Sequence, residues 1–176
     1  PRRVPERAQR PLPAAVILMF AHGISIALQF SLADNIEKSA GSLDFADLGG
    51  LAKATPALAF LFGIGAMASI GLPGLANFSG EVMVFLSAFK NYDPSAGLGP
   101  VQIACILAIW GVVISAVYML RAYRRIFMGP LSDRWKALPE IATGPRLCVA
   151  GLILLLLILG FCPQILVHLI EPLFRP

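Results

Sequence analysis

From Leu12 to Leu32, from Val101 to Leu120 and from Leu147 to Ile170 the chain runs without a charged side chain. Each run is long enough to cross a hydrocarbon core of about 30 Å, which takes about 20 helical residues. In lipid every backbone N–H and C=O must find its partner inside the protein, so apolar runs of this length read as membrane helices. Composition agrees: 57% of the 176 residues are hydrophobic and only 14% charged, with a mean hydropathy of +0.78. A soluble domain carries about a quarter charged residues. The expected fold is an all-α, polytopic membrane bundle of about four spans, covering residues 12–176 behind a basic, proline-rich tail at 1–11.

The fourth span is the interrupted one. Between Lys53 and Lys90 the only charged residue is Glu81, and the stretch is cut by Gly71-Leu72-Pro73-Gly74. Pro56 to Ile70 and Asn77 to Phe89 each give only about 20 Å of helix, too short to cross alone. One discontinuous span over 56–89, broken at 71–74, fits better than two crossings. Proline lacks an amide donor and clashes with the preceding turn, while glycine permits the positive φ of a tight reversal. A break of this kind survives only inside protein or beside a water-filled cavity, and broken helices recur at the ion sites of transporters. The same signals also fit a proline kink that serves packing alone.

Glu81 bears on that choice. With Asn77 as cap, it lies just past the first turn of the second half-helix, where the helix dipole favours a carboxylate by at most about 1 to 2 kcal/mol. Desolvation near the bilayer centre costs several kcal/mol and outweighs it. The result is a carboxyl poised to take up and release a proton, as a proton path needs; the plainer reading is a neutral acid hydrogen-bonded between helices. His22 sits mid-way along the first span, and imidazole is suited to proton relay, although a lone histidine is also often a packing residue. Ser25, one turn on, could hydrate the same face, and Gln29 could do likewise or simply pack.

Other features have plainer explanations. Cys105, Cys148 and Cys162 fall in the spans without C-x-x-C spacing and read as small apolar core residues. His168 lies near the end of the last span, where an interfacial place suits it better than ligation. Gly65 and Ser69 form a small-xxx-small pair for close helix approach. "GIGAMASIG" is no dinucleotide loop, since no strand precedes it. "LRAYRRIF", Leu120 to Phe127, is a basic aromatic cluster suited to anionic headgroups, with Tyr118 and Tyr123 in the interfacial belt; in this apolar context it does not indicate nucleic-acid binding. Turn signals stand at Gly49-Gly50, Gly129-Pro130 and Gly144-Pro145. Ser31-Leu32-Ala33 resembles a signal-peptide cleavage site, but the run before it is too long and contains His22 and Gln29. The two loops, about 34–53 and 121–146, hold eight Lys and Arg. The positive-inside rule places them in the cytoplasm, against the four arginines of the tail.

Five blocks, in order, carry a resemblance: "FAHGISIALQF", "DLGGLAKATP", "ASIGLPGLANFSGEVMVFLSAF", "VYMLRAYRRIFMGP" and "ILGFCPQIL". Together they resemble the C-terminal part of the antiporter-like membrane subunits of respiratory complex I, the NADH-quinone oxidoreductases, and in particular the M type, the counterpart of mitochondrial chain 4. The resemblance implies a proton-pumping fold of about fourteen helices in two inverted repeats, each with one broken helix. This chain would supply the last crossings. His22 matches the histidine of the "AHG" block and Glu81 the acid of the "GE" block, where L-type and N-type subunits and multisubunit antiporters typically carry lysine. The family's other half-channel, with its own glutamate and lysine, has no counterpart in these residues. "PRRVPERAQR" departs from the apolar helix expected before "AHG", and "LANFSGE" departs slightly from the usual block.

The resemblance thus implies a proton-translocating subunit, or its C-terminal portion, in a bacterial inner membrane. Other membrane subunits and the lipid bilayer would be its partners. It would bind no cofactor itself, with NADH, FMN, iron-sulfur clusters and quinone on partner subunits. Two alternatives stay open: a subunit of a multisubunit cation/proton antiporter, and a structural segment that transports nothing.

Overall fold

The computed structural model describes residues 11–90, 92–170 and 172; apart from Pro11 the basic tail lies outside them. Within the described residues six α-helices succeed one another: α1 (Pro11–Ala40), α2 (Pro56–Ile70), α3 (Ala76–Phe89), α4 (Pro100–Phe127), α5 (Thr143–Phe161) and α6 (Gln164–Ile170). Three are long and apolar enough to cross a membrane, over Leu12–Ala40, Pro100–Phe127 and Thr143–Phe161. The fourth span is α2 and α3, of 15 and 14 residues. The fold is thus an all-α membrane bundle with one discontinuous helix.

α1 is the post around which the others gather. Ile17, Ala21, Leu28, Leu32 and Ile36 are each at most 2% exposed, and their spacing of about four residues lays one buried stripe along the helix. That stripe packs against α3, α5 and α2. α4 stands at the periphery against α2 and buries only Cys105, Ile126 and Phe127.

The helices outrun the spans expected of them. α1 continues past Leu32 to Ala40, because the polar residues after Leu32 stabilise helix: Lys38 pairs with Asp34 at 2.6 Å and the Asn35 amide donates to the Ser31 carbonyl at 2.7 Å. It stops at Gly41, whose φ of 71° is left-handed. α4 runs seven residues beyond Leu120, to Phe127. The last apolar run is instead divided: α5 ends at Phe161, and Pro163, which has no N–H to donate, separates it from α6. Gly144-Pro145 is not a turn but lies in the first turn of α5, where proline forfeits no helical bond. Gly50 (φ 68°) and Gly129 (φ 105°) do form turns. Beyond α3, Asp93 accepts hydrogen bonds from the Ser95 amide (2.9 Å) and hydroxyl (2.7 Å). These bonds favour the charged form and hold its carboxyl below the usual range.

Candidate functional site

The break spans Gly71 to Leu75. Gly71 and Gly74 have φ of 81° and 93°, a region L-residues rarely enter. The Gly71 amide donates to the Ala68 carbonyl (3.2 Å) and the Leu72 amide to the Met67 carbonyl (3.1 Å), closing off the end of α2. Asn77 does not cap α3. Leu75 occupies the cap position, and Asn77, 2% exposed, extends its amide back across the break to donate to the Ala68 carbonyl at 2.9 Å. The sequence suggests a cap because asparagine comes after a glycine turn; the structure uses it as a strut between the two half-helices.

Protein covers this interrupted backbone on two sides, as lipid exclusion requires. A Cβ on Gly160 of α5 would fall 2.6 Å from the Gly74 carbonyl carbon and 2.7 Å from that of Leu75. The Ser79 hydroxyl donates to the Gly160 carbonyl at 3.1 Å. On the other side, a Cβ on Gly80 would lie 2.8 Å from the Cα of Leu18, so α3 and α1 meet almost backbone to backbone.

Glu81 projects from α3 into this corner. It is half-buried, and its carboxyl lies against the turn, so close that a Cβ on Gly71 would come within 2.8 Å of its Cδ and Oε1. No ion pair holds it among the described residues. A carboxyl beside a glycine turn, unpaired and shielded on part of its surface, can exchange a proton without first breaking a salt bridge. Asn77 is one turn away on the same helical face.

The structure does not gather the other sequence-derived residues onto one face with it. His22 points outward and is exposed, whereas Ser25 is fully buried. The Ser25 hydroxyl donates to the Ala21 carbonyl at 3.1 Å, so it does not hydrate the face of His22. Gln29 packs, as one of its two expected roles had it: its Nε2 lies 3.3 Å from where a Cβ on Gly65 would be. Gly65 thereby brings α2 close to Leu28 and Leu32 of α1, while Ser69 one turn on is left without a partner. Gln29 Nε2, Ser69 Oγ and Asn77 Oδ1 are buried and unbonded among the described residues. Ser69 and Asn77 are polar members of this corner that sequence reasoning gave other roles.

One further assignment changes. Only Cys105 of the three cysteines is buried; Cys148 and Cys162 are exposed, the first on the outer face of α5 and the second at its C-terminal cap. Tyr123 turns its ring inward, 6.4 Å from Phe62 and 5.2 Å from Phe127 between ring centroids. Tyr118 is 57% exposed, and His168 is exposed on α6. Among the described residues no three His, Cys, Asp or Glu side chains converge as metal ligands would.

The model of the NADH:quinone oxidoreductase/Mrp antiporter transmembrane family matches residues 7–98, just over half of the chain and all of the broken helix. The chain belongs to that family. Subunit M of the NADH-quinone oxidoreductase of Mycobacterium tuberculosis is 36% identical over 90% of the chain and 27% of its own length. The F(420)H(2) dehydrogenase subunit M of Methanosarcina mazei is 31% identical over 85% of the chain and 28% of its own length. The structure also superposes on a chain of respiratory complex I from Thermus thermophilus with bound NADH, with a TM-score of 0.69 and 28% identity, over 92% of this chain and 35% of that one. The chain thus spans between a quarter and a third of the curated relatives it matches. Family membership and the apolar helices make it an integral membrane protein.

Proposed function

We propose that this chain forms the C-terminal part of a proton-translocating membrane subunit of an NADH-quinone oxidoreductase, in a bacterial inner membrane, and that Glu81 is its proton carrier. The observation that carries the reading is the unpaired Glu81 carboxyl lodged against the Gly71 turn of a helix broken inside protein. His22 is the second exchanging group, on the face of α1 turned away from the bundle, where a neighbouring segment or water would receive its proton. The redox chemistry, with NADH, FMN, iron-sulfur clusters and quinone, belongs to partner subunits.

Coupling needs no large motion at Glu81. A unit charge moved to about 10 Å from a carboxyl, at an effective dielectric of about 20, changes its proton affinity by about 1.7 kcal/mol, roughly a 20-fold change in the ratio of its two states. A charge rearrangement one helix away is therefore enough to load or empty the site.

The test is NADH-driven proton uptake in inverted vesicles carrying the complex with wild-type chain or Glu81→Gln, normalised to assembled complex. Glutamine keeps the shape but cannot carry the proton. Pumping should fall roughly 100-fold or more, the scale on which a positioned acid-base group acts, with assembly retained. Undiminished pumping would make Glu81 a packing residue. The family description also takes in Mrp antiporters, so sodium-dependent proton exchange that is indifferent to NADH would move the reading to an antiporter.

A further inference from the structure

At the far end of α4 a cavity of about 710 Å³ is bounded by Arg121, Arg124 and Arg125, the loop around Asp47, and Met128 and Trp135 of the segment beyond the helix. Three arginines at i, i+3 and i+4 share one helical face, and all three line the cavity. The two ion pairs found among the described residues, Lys38–Asp34 and Lys136–Asp133, involve none of them. Asp47 is the one carboxylate in the lining, and it accepts a hydrogen bond from the Ser42 hydroxyl at 2.9 Å.

The walls are fixed. The Trp135 indole donates to the Asp47 carbonyl at 3.2 Å, and the Gly50 amide donates to the Met128 carbonyl at 3.0 Å. Gly50, at φ 68°, lies where a Cβ would meet the Pro130 carbonyl oxygen at 2.6 Å, so only glycine lets the two loops close together. The pocket is therefore a built cationic cup and not a scatter of surface charge.

Its position selects the ligand. From Pro100 to Leu120 α4 is uncharged and about 31 Å long, so Arg121 stands where the hydrocarbon ends. Leu107, Trp110, Ile114, Val117 and Tyr118, each 57 to 66% exposed, form a stripe at helical spacing that leads along α4 directly to Arg121. We propose that this cup and stripe together bind one anionic phospholipid, its phosphodiester in the arginine cup and an acyl chain along the stripe. Guanidinium forks match phosphate oxygens in pairs, and the apolar run gives a lipid an anchorage that a free phosphate lacks.

The experiment uses membranes containing the full chain and two photoactivatable probes, phosphatidylglycerol and phosphatidylcholine, with labelled peptides mapped by mass spectrometry. Phosphatidylglycerol should label residues 107–135 in clear preference to phosphatidylcholine, and millimolar inorganic phosphate should leave that labelling unchanged. In the triple variant Arg121→Gln, Arg124→Gln, Arg125→Gln the preference should fall, roughly fivefold for each arginine removed. The triple lysine variant, which keeps charge but not the fork, should recover only part of it. Equal labelling by the two probes in the wild-type chain overturns the site even if no variant accumulates. Displacement by inorganic phosphate overturns the lipid assignment in favour of a soluble phosphate ligand.

Discussion

α1 and the α2–α3 pair use nearly the same amount of helix and treat their glycines in opposite ways. α1 is 30 residues long and passes through Gly23 without interruption; the region around that glycine is open, with nothing within 4 Å of a Cβ there. The pair, 15 and 14 residues, is severed at Gly71-Leu72-Pro73-Gly74, two of whose residues take left-handed φ. A lone glycine thus only lowers helix propensity, whereas glycine on both sides of a proline ends one helix and starts another. The functional consequence comes from backbone chemistry. An unbroken helix consumes its own carbonyls and amides, so the polar side chains of α1 bond locally, as Ser25 does, face outward, as His22 does, or pack unbonded against a neighbouring helix, as Gln29 does. A broken helix turns its backbone ends into the bundle, and Glu81 lies beside them.

The largest effect should come from prising α5 off the break. Gly160→Val places side-chain atoms into the backbone of Gly74 and Leu75, with no flexible neighbour able to yield. Overpacking of this kind costs about 3 kcal/mol or more. The chain should lose its resistance to trypsin in detergent at temperatures where wild type is intact; undiminished resistance would mean that α5 does not seal the break.

The two helices can then be set against each other with one substitution. Gly71→Ala forces a left-handed L-residue, at about 1 to 2 kcal/mol, and drives its Cβ into the Glu81 carboxyl. Gly23→Ala meets nothing and gains about 0.5 to 1 kcal/mol from the stiffer unfolded chain and better helix propensity. Thermal denaturation should therefore shift in opposite directions for the two variants. A shift in the same direction would refute the contrast between them. Asn77→Ala should cost less than Gly71→Ala, about 1 kcal/mol for one net hydrogen bond, because the Ala68 carbonyl keeps its bond from the Gly71 amide. Its larger effect should be on proton uptake, since Asn77 ties the half-helix that carries Glu81 to the end of α2; unchanged uptake would reduce Asn77 to a packing residue.

Much of this architecture is legible from residue type and spacing. Uncharged runs announce the spans, because lipid leaves the backbone few alternatives, and Gly71-Leu72-Pro73-Gly74 announces the break, because it removes a donor and supplies positive φ together in the middle of an apolar stretch. Helix ends are less legible: Asp34 to Ala40 reads as loop by polarity, yet local pairs such as Lys38–Asp34 carry the helix on. The direction of a side chain is not legible at all from one helix. Ser25 and His22 are neighbours in sequence, but three residues turn a helix by about 300°, and tertiary packing decides which is buried. Gly80 and Gly160 likewise read as ordinary membrane-helix glycines until a second backbone is placed against each. Asn77 fits the cap rule locally, and only the path of the chain across the break shows that its amide serves α2 instead.

The smallest structural effect belongs to His22, and it is also the sharpest separation of fold from function. Its side chain is exposed on the outer face of α1 and takes no part in the buried stripe. His22→Ala should therefore change stability by no more than about 0.5 kcal/mol, the range for substitutions away from packed features. If His22 exchanges protons in series with Glu81, the same variant should lower proton uptake severalfold, and His22→Gln, which restores polarity but does not titrate near neutrality, should fail to rescue it. Rescue by glutamine would assign His22 a hydrogen-bonding role. Full activity of the alanine variant would confine the proton path in this chain to the broken helix, and α1 would serve only as the post against which that helix is held.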